Sequence, residues 1–334
     1  MKTRMTELYG TEYPIQCGGM MWLATPELAA AVSNAGALGN VTSGIYNSAD
    51  ELRAAIDRTR ELTSKPFAIN ITTMPSIRLS VELLQQYFKV CCEKKVAAIE
   101  IAGAPVNTFL GPEYIPMAKE AGVKVVHKVG AVKHAEHAQK VGYDAVIACG
   151  FEEAGFPHQD NVGVMVLLPK IVESVDIPVI AASGMVDGKT LAAVLALGGE
   201  GMMMASRFVA TKECKVHPNV HKLLLEKTEK DTSLQLRGFL AQWGIQVRAL
   251  RNEFTRKVEE IEARGGGPEE YIPLMSAELA KKAWEEGECD DAMLTFGQSI
   301  GRIYDIPTVA ELVERIVEQA EEALRTSLER VHSS

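Results

Sequence analysis

Eight short apolar runs recur along the first two-thirds of the chain: Tyr13–Gly18, Ala37–Val41, Pro66–Ile71, Ala97–Ile101, Lys124–Val129, Ala145–Ala148, Pro178–Ala182 and Gly201–Ser206. Each is too short for a typical helix and too continuously apolar for a strand with one wet face, so each predicts a strand covered on both sides. Between them lie helical patterns at Pro26–Ala35, Ser48–Leu62, Ser80–Lys94, Glu113–Ala121, Ala131–Val141, Met165–Val175 and Lys189–Leu197. Pro66 and Pro178 stand at strand starts, where a missing N–H does no harm. Gly36, Gly122, Gly142 and Gly198 follow helical patterns, as C-caps should. Strict alternation implies a parallel sheet with right-handed crossovers, and eight repeats favour closure into an α/β fold of the (β/α)8 TIM-barrel type.

The rhythm changes near Val216. Residues 216–290 carry long amphipathic patterns, such as His217–Glu229, Ser233–Glu262 and Tyr271–Glu286, and no convincing strand. They predict a helical insertion after strand 8 that covers the active site, with residues 1–215 and 291–334 forming the barrel. Val309–Leu328, apolar at helical spacing, is expected to be the eighth outer helix.

Composition narrows the partners. The 334 residues are 47% hydrophobic and 24% charged, with a net charge of −9 and no long basic run. That argues against nucleic acid and for a small-molecule substrate. No stretch suits a membrane span or a signal peptide. The six cysteines form no disulfide or metal pattern, and the adjacent Cys91 and Cys92 suit neither. A reducing cytoplasm, no metal site, and a monomer or homodimer are the expectations.

In such a barrel the chemistry belongs at the C-terminal strand ends and a phosphate site after strands 7 and 8. Those ends supply Gly19 and Met20, Asn40, Asn70, His127 and Lys128, Cys149 and Gly150, Glu152 through Gly155, Ser183 and Gly184, and Ala205 and Ser206. The set is rich in glycine, with one amide at Asn70 and one strong cation at Lys128. It holds no Ser-His-Asp candidate. It suits a flat aromatic cofactor with a phosphate tail, which brings its own redox chemistry. Lys128 also reads as a snorkelling rim lysine, and Asn70 as a helix cap. His127 should face away from the bore if Lys128 faces in. Trp243 fits a lid or the insertion's own core equally.

The strings QCGGMMW, PFAIN, VVHKVGAVKHA, GFEEAG, VIAASGMVDGKTLAAVLALGGEGMMMASRF and FGQSIG occur in this order along nearly the whole chain. Together they resemble the nitronate monooxygenase family. These FMN-dependent TIM barrels include the former 2-nitropropane dioxygenases, NADH:quinone reductases and FMN-type enoyl-ACP reductases. The segment RALRNEFTRKVEEIEARGG is most similar to the NADH:quinone reductase branch. The resemblance implies that Gly19 and Met20 contact the flavin ring, and that Asn70 hydrogen-bonds it. Lys128 would stand at the flavin N1–O2 edge. Gly150, Ala154, Gly155, Ser183, Gly184, Gly188, Ala205 and Ser206 would cradle ribityl and phosphate, and Gln298 would close over them.

One departure bears on the reaction. Many relatives carry a histidine beside the flavin after strand 6, where this chain has Phe156, followed by Pro157 and His158. An apolar ring cannot take a proton, and His158 would have to turn inward to replace it. The reading is an FMN-dependent oxidoreductase that passes hydride from NADH or NADPH through flavin to a quinone or conjugated acceptor. Lys128, Phe156 and His158 are its catalytic candidates. Nitronate oxidation with O2, enoyl-thioester reduction and a non-redox phosphate-binding barrel are the alternatives.

Overall fold

The computed structural model describes residues 1–74 and 79–332. Helix α1 (Arg4–Tyr9) precedes strand β1 (Ile15–Cys17), followed by α2 (Pro26–Asn34), β2 (Gly39–Thr42), α3 (Ala49–Leu62), β3 (Phe67–Thr73) and α4 (Val81–Glu93). Then come β4 (Ala98–Gly103), α5 (Val106–Phe109), α6 (Tyr114–Ala121), β5 (Lys124–Val129), α7 (Val132–Val141), β6 (Ala145–Cys149) and α8 (Val164–Val172). β7 (Val179–Ala182), α9 (Gly188–Ala196), β8 (Gly201–Met204) and the short α10 (Ser206–Val209) complete the alternation. All strand pairings in this sheet are parallel, in the order β1-β8-β7-β6-β5-β4-β3-β2. The ring shuts where Gln16 of β1 bridges Leu38, just before β2. The eight expected strands and the TIM barrel are the observed architecture.

Two apolar shells follow from the two-residue period of each strand. Ile69, Ile99, Ile101, Val125, Val146, Val179 and Met202 face the helices in the main core. Ala68, Ala98, Val126, Ala145, Ile147, Ile180 and Met203 fill the bore, with Met5 and Tyr9 of α1 among them. Thr3, which caps α1, and Arg4 bond to Glu200 just before β8, so α1 lies across the N-terminal end of the barrel. At the other end the bore turns polar, with Gln16, Asn40, Asn70, Glu100 and Lys128 on β1 to β5.

The segment after β8 departs from expectation. It contains α11 (Pro218–Glu226), then an antiparallel hairpin of β9 (Thr232–Gln235) and β10 (Val247–Leu250), then α12 (Glu253–Ala263), α13 (Pro268–Tyr271) and α14 (Ala277–Glu286). The stretch Ser233–Glu262 is therefore not one amphipathic helix. Arg248 pairs in register with Leu234, and Leu236 and Gly244 adopt left-handed backbone between the strands. The alternating pattern of a four-residue strand is too brief to outweigh the helical reading of the flanking sequence. The hairpin and α12 share a small core of Leu236, Leu240, Val247, Ala249, Phe254, Val258 and Ile261. The last helix, α15 (Val309–His332), packs on α9 and α2 as the expected outer helix.

Candidate active site

The polar end of the bore is organised by Glu100, a residue the sequence reading passed over. Its carboxylate accepts hydrogen bonds from Gln16 Nε2 (2.8 Å), Asn70 Nδ2 (3.1 Å) and Asn40 Nδ2. The backbone N–H of Gly19 is a fourth donor. Burial pushes the Glu100 carboxyl up, with Lys128 and these donors pulling against it. A Cβ at position 19 would overlap the Asn70 side chain, so only glycine lets the β1 turn meet β3. Met20 N–H donates to Thr42 Oγ1 at 2.9 Å.

Lys128 faces this cluster from β5 and forms an ion pair with Glu153, Nζ to Oε1 at 2.6 Å. Burial lowers the affinity of the ammonium for its proton, and the Glu153 and Glu100 carboxylates more than reverse that, so Lys128 stays charged. The Cys149 thiol is pushed far up by burial, with Glu153 adding to the rise, and is a neutral bore residue. His127 points the other way, as expected. It stacks on Tyr143 at 5.0 Å, and its Nε2 donates to Gly103 O at 3.0 Å.

The second half of the site is backbone. Ser183 and Gly184, after β7, have φ of 84° and 72°. The Ser183 hydroxyl is buried without a hydrogen-bond partner. Ser206 Oγ accepts from Gly297 N–H at 3.3 Å, and Gln298 N–H donates to Glu152 O at 3.1 Å. These contacts bring the loops after β6 and β8 and the segment around Gln298 to one place, with Ala154 next to Gly297 and Ala205 next to Ser206. Gly155 is left-handed, with open space on its Cβ side. Gly150 lies against Val164, the first residue of α8, whose N–H donates to the Glu152 carboxylate.

Two expected site residues go elsewhere. Gly188 sits under α15, where a Cβ would overlap the backbone of Ile316 and Ala320, and its N–H donates to Gln319. It is placed as a helix-packing glycine rather than with the loops around Ser183. His158 packs against Gly130, lies edge-to-face with His134 at 5.4 Å, and pairs with Asp160 at 3.3 Å. Its neighbours thus come from the turn after β5, from α7, from its own loop and from the hairpin residues Gly244 to Gln246. Phe156 is 38% exposed.

The insertion reaches this site through its hairpin. Gly155 exchanges two backbone hydrogen bonds with Arg248 (3.1 and 2.7 Å), and Gln246 N–H donates to Pro157 O. Arg248 is 2% exposed, donates to Thr232 Oγ1 and Phe151 O at 3.0 Å each, and lies 4.5 Å from the Phe151 ring centroid. Trp243 packs edge-to-face on Phe239 within the insertion at 6.1 Å. Among the described residues no helix is long and apolar enough to cross a membrane.

Glu100 carried one faint signal: it and Gln16 are each the lone polar residue inside an apolar strand, and that placement is costly unless the group is partnered.

A parallel eight-stranded barrel with its polar residues gathered at the C-terminal mouth is the architecture of a barrel enzyme. Residues 2–319 match the nitronate monooxygenase family, and the chain belongs to that family of oxidoreductases. It is 31% identical to a (3aS,4S,5R,7aS)-5-hydroxy-7a-methyl-1-oxo-octahydro-1H-indene-4-carboxyl-CoA dehydrogenase of Rhodococcus jostii, over 96% of each chain. It is 30% identical to a probable nitronate monooxygenase of Staphylococcus saprophyticus, over 97% of this chain and 99% of that one. Among solved structures, FabK from Thermotoga maritima superposes with a TM-score of 0.87 and 36% identity, over 98% of this chain and 99% of that one.

Proposed function

We propose that the chain is an FMN-dependent oxidoreductase that takes hydride from NADH or NADPH and delivers it to a quinone or conjugated acceptor. The observation that carries the cofactor reading is the divided mouth of the barrel. A buried, unpartnered hydroxyl at Ser183 stands beside left-handed backbone at Gly184, and the bore also carries the charged group Lys128–Glu153–Glu100. A phosphate tail needs the first half and a polar ring edge needs the second, so the residues fit the group. When bound, FMN supplies two-electron chemistry at its ring.

The chain's own residues do the rest. Ser183, Gly184, Ala205 and Ser206, with Ala154 and Gly155, would hold the phosphate and ribityl portion. Gln298 would cover it from the C-terminal segment. Asn70, Gly19 and Met20 would orient the ring. Lys128 would hold positive charge toward the ring edge that gains negative charge on reduction, and Glu153 pairs with that charge. The hairpin β9–β10, tied to the loop at 155–158, limits water on that side.

The choice among reactions rests on the imidazole. Phe156 stands at the loop position where many relatives carry the histidine, and His158 packs against Gly130 and His134, so this chain has no imidazole at position 156 to act as a base toward nitronates. Hydride transfer needs none there. Similarity to a carboxyl-CoA dehydrogenase and to FabK adds a thioester-linked alkene to the candidate acceptors.

Anaerobic stopped-flow mixing of the yellow protein with NADH, NADPH or a nitronate tests this reading. Bleaching by a reduced pyridine nucleotide is expected; bleaching by the nitronate alone would overturn it. Lys128→Met is expected to slow flavin reduction at least about tenfold, the loss of one charge-assisted contact, without unfolding the barrel. An unchanged rate would remove Lys128 from the mechanism.

A further inference from the structure

Among the described residues Glu100 is the only carboxylate in the buried interior, at 1% exposure. Its ligands come from three neighbouring strands and one turn: Gln16 on β1, Asn40 on β2, Asn70 on β3 and the Gly19 N–H after β1. Every one of them donates. An ionised carboxylate is acceptor-only, so it satisfies all four donors at once, whereas a neutral amide in its place would set N–H against N–H.

That convergence has a directional consequence. Asn70 turns its Nδ2 toward Glu100 Oε1, which leaves Oδ1 on the opposite side of the amide, where it accepts a long 3.4 Å bond from Thr72. Gly19 likewise spends its N–H inward. Resting on the FMN reading, we propose that Glu100 is a positioning residue for the ring half of the site. It fixes the Asn70 amide with its oxygen toward the ligand, so that the site recognises a ring N–H, and it sets a buried carboxyl group behind Lys128. The ligand class it selects is a planar heterocycle that offers a donor at that edge.

The test uses FMN titration of the full-length apoprotein and the midpoint potential of the reconstituted protein. Glu100→Gln, Asn70→Ala and the double variant form a cycle. Glu100→Gln forces at least one of the three amides to turn, and is expected to weaken FMN binding roughly tenfold. It should also shift the midpoint potential upward, because a negative charge that opposes ring reduction is gone. If Glu100 acts through Asn70, the loss in the double variant matches that of Asn70→Ala alone. Additive losses, or wild-type affinity and potential in Glu100→Gln, would overturn the proposal while leaving the cofactor reading intact. A wild-type chain that takes up no FMN would overturn both. If Glu100→Gln does not fold, Glu100→Asp decides: it keeps the charge but draws the carboxylate back from Asn70, and unchanged affinity in it refutes the positioning role.

Discussion

At the scale of single residues the site is a problem in charge placement. Lys128 is not a free cation waiting in the bore; Glu153 meets it at 2.6 Å and Glu100 adds a second negative charge nearby. A lysine at the end of β5 was legible in the sequence, because strand parity sends it inward once His127 is sent outward. Its partner was not, since Glu153 lies in a loop of irregular backbone whose direction no periodicity gives. Phe156 poses a separate question. Phe156→His places an imidazole at the rim position where many relatives carry one, and nitronate-dependent oxygen uptake is expected to rise from background. No gain in an oxygen-electrode assay would mean that position 156 does not face the cofactor.

At the scale of elements the decisive feature is the hairpin of residues 232–250. It adds two strands beside the chain at 155–158 and anchors them through one buried guanidinium. Burial lowers the Arg248 proton affinity, with Glu152 opposing, so the loop and the insertion are joined by a charge held almost out of water. Arg248→Met keeps apolar bulk against Phe151 but leaves Phe151 O and Thr232 Oγ1 without their donor. A loss of about 1–3 kcal/mol is expected in urea unfolding. Hydrogen exchange should quicken at the amides of Gly155 and Gln159, which bond to Arg248 O and Gly244 O. Protection equal to wild type at both amides would show that the backbone pairing suffices alone. Sequence periodicity described the barrel elements well and this one poorly. The barrel strands are buried on both faces and punctuated by glycine and proline; the hairpin strands are four residues each and half polar.

At the scale of the whole molecule, stability follows pH through a group on the outer face of β5. Burial pulls the His127 pKa down to about 4 from an ordinary 6.5, and its Nδ1 is buried with no partner to receive a second proton. The folded protein therefore keeps His127 neutral while the unfolded chain binds a proton below about 6.5. The contribution is full above that pH and is lost as pH falls from about 6.5 to about 4. It amounts to roughly 3 kcal/mol, at about 1.4 kcal/mol per pH unit. Denaturant midpoints at pH 7 and pH 5 should separate in wild type and draw together in His127→Phe. An equal separation in both would place the acid sensitivity elsewhere.

Taken alone, the order of apolar runs and helical patterns determined the parallel barrel, its strand boundaries to within a few residues, and the end of it where the polar bore residues gather. Those are consequences of burial on two faces, which is written locally. The fate of Gly188, the turning of His158 toward α7, and the gathering of four donors on Glu100 were decided only by tertiary structure. Each depends on residues tens of positions apart meeting at one point, and no local pattern encodes which polar group will find which partner once water is excluded.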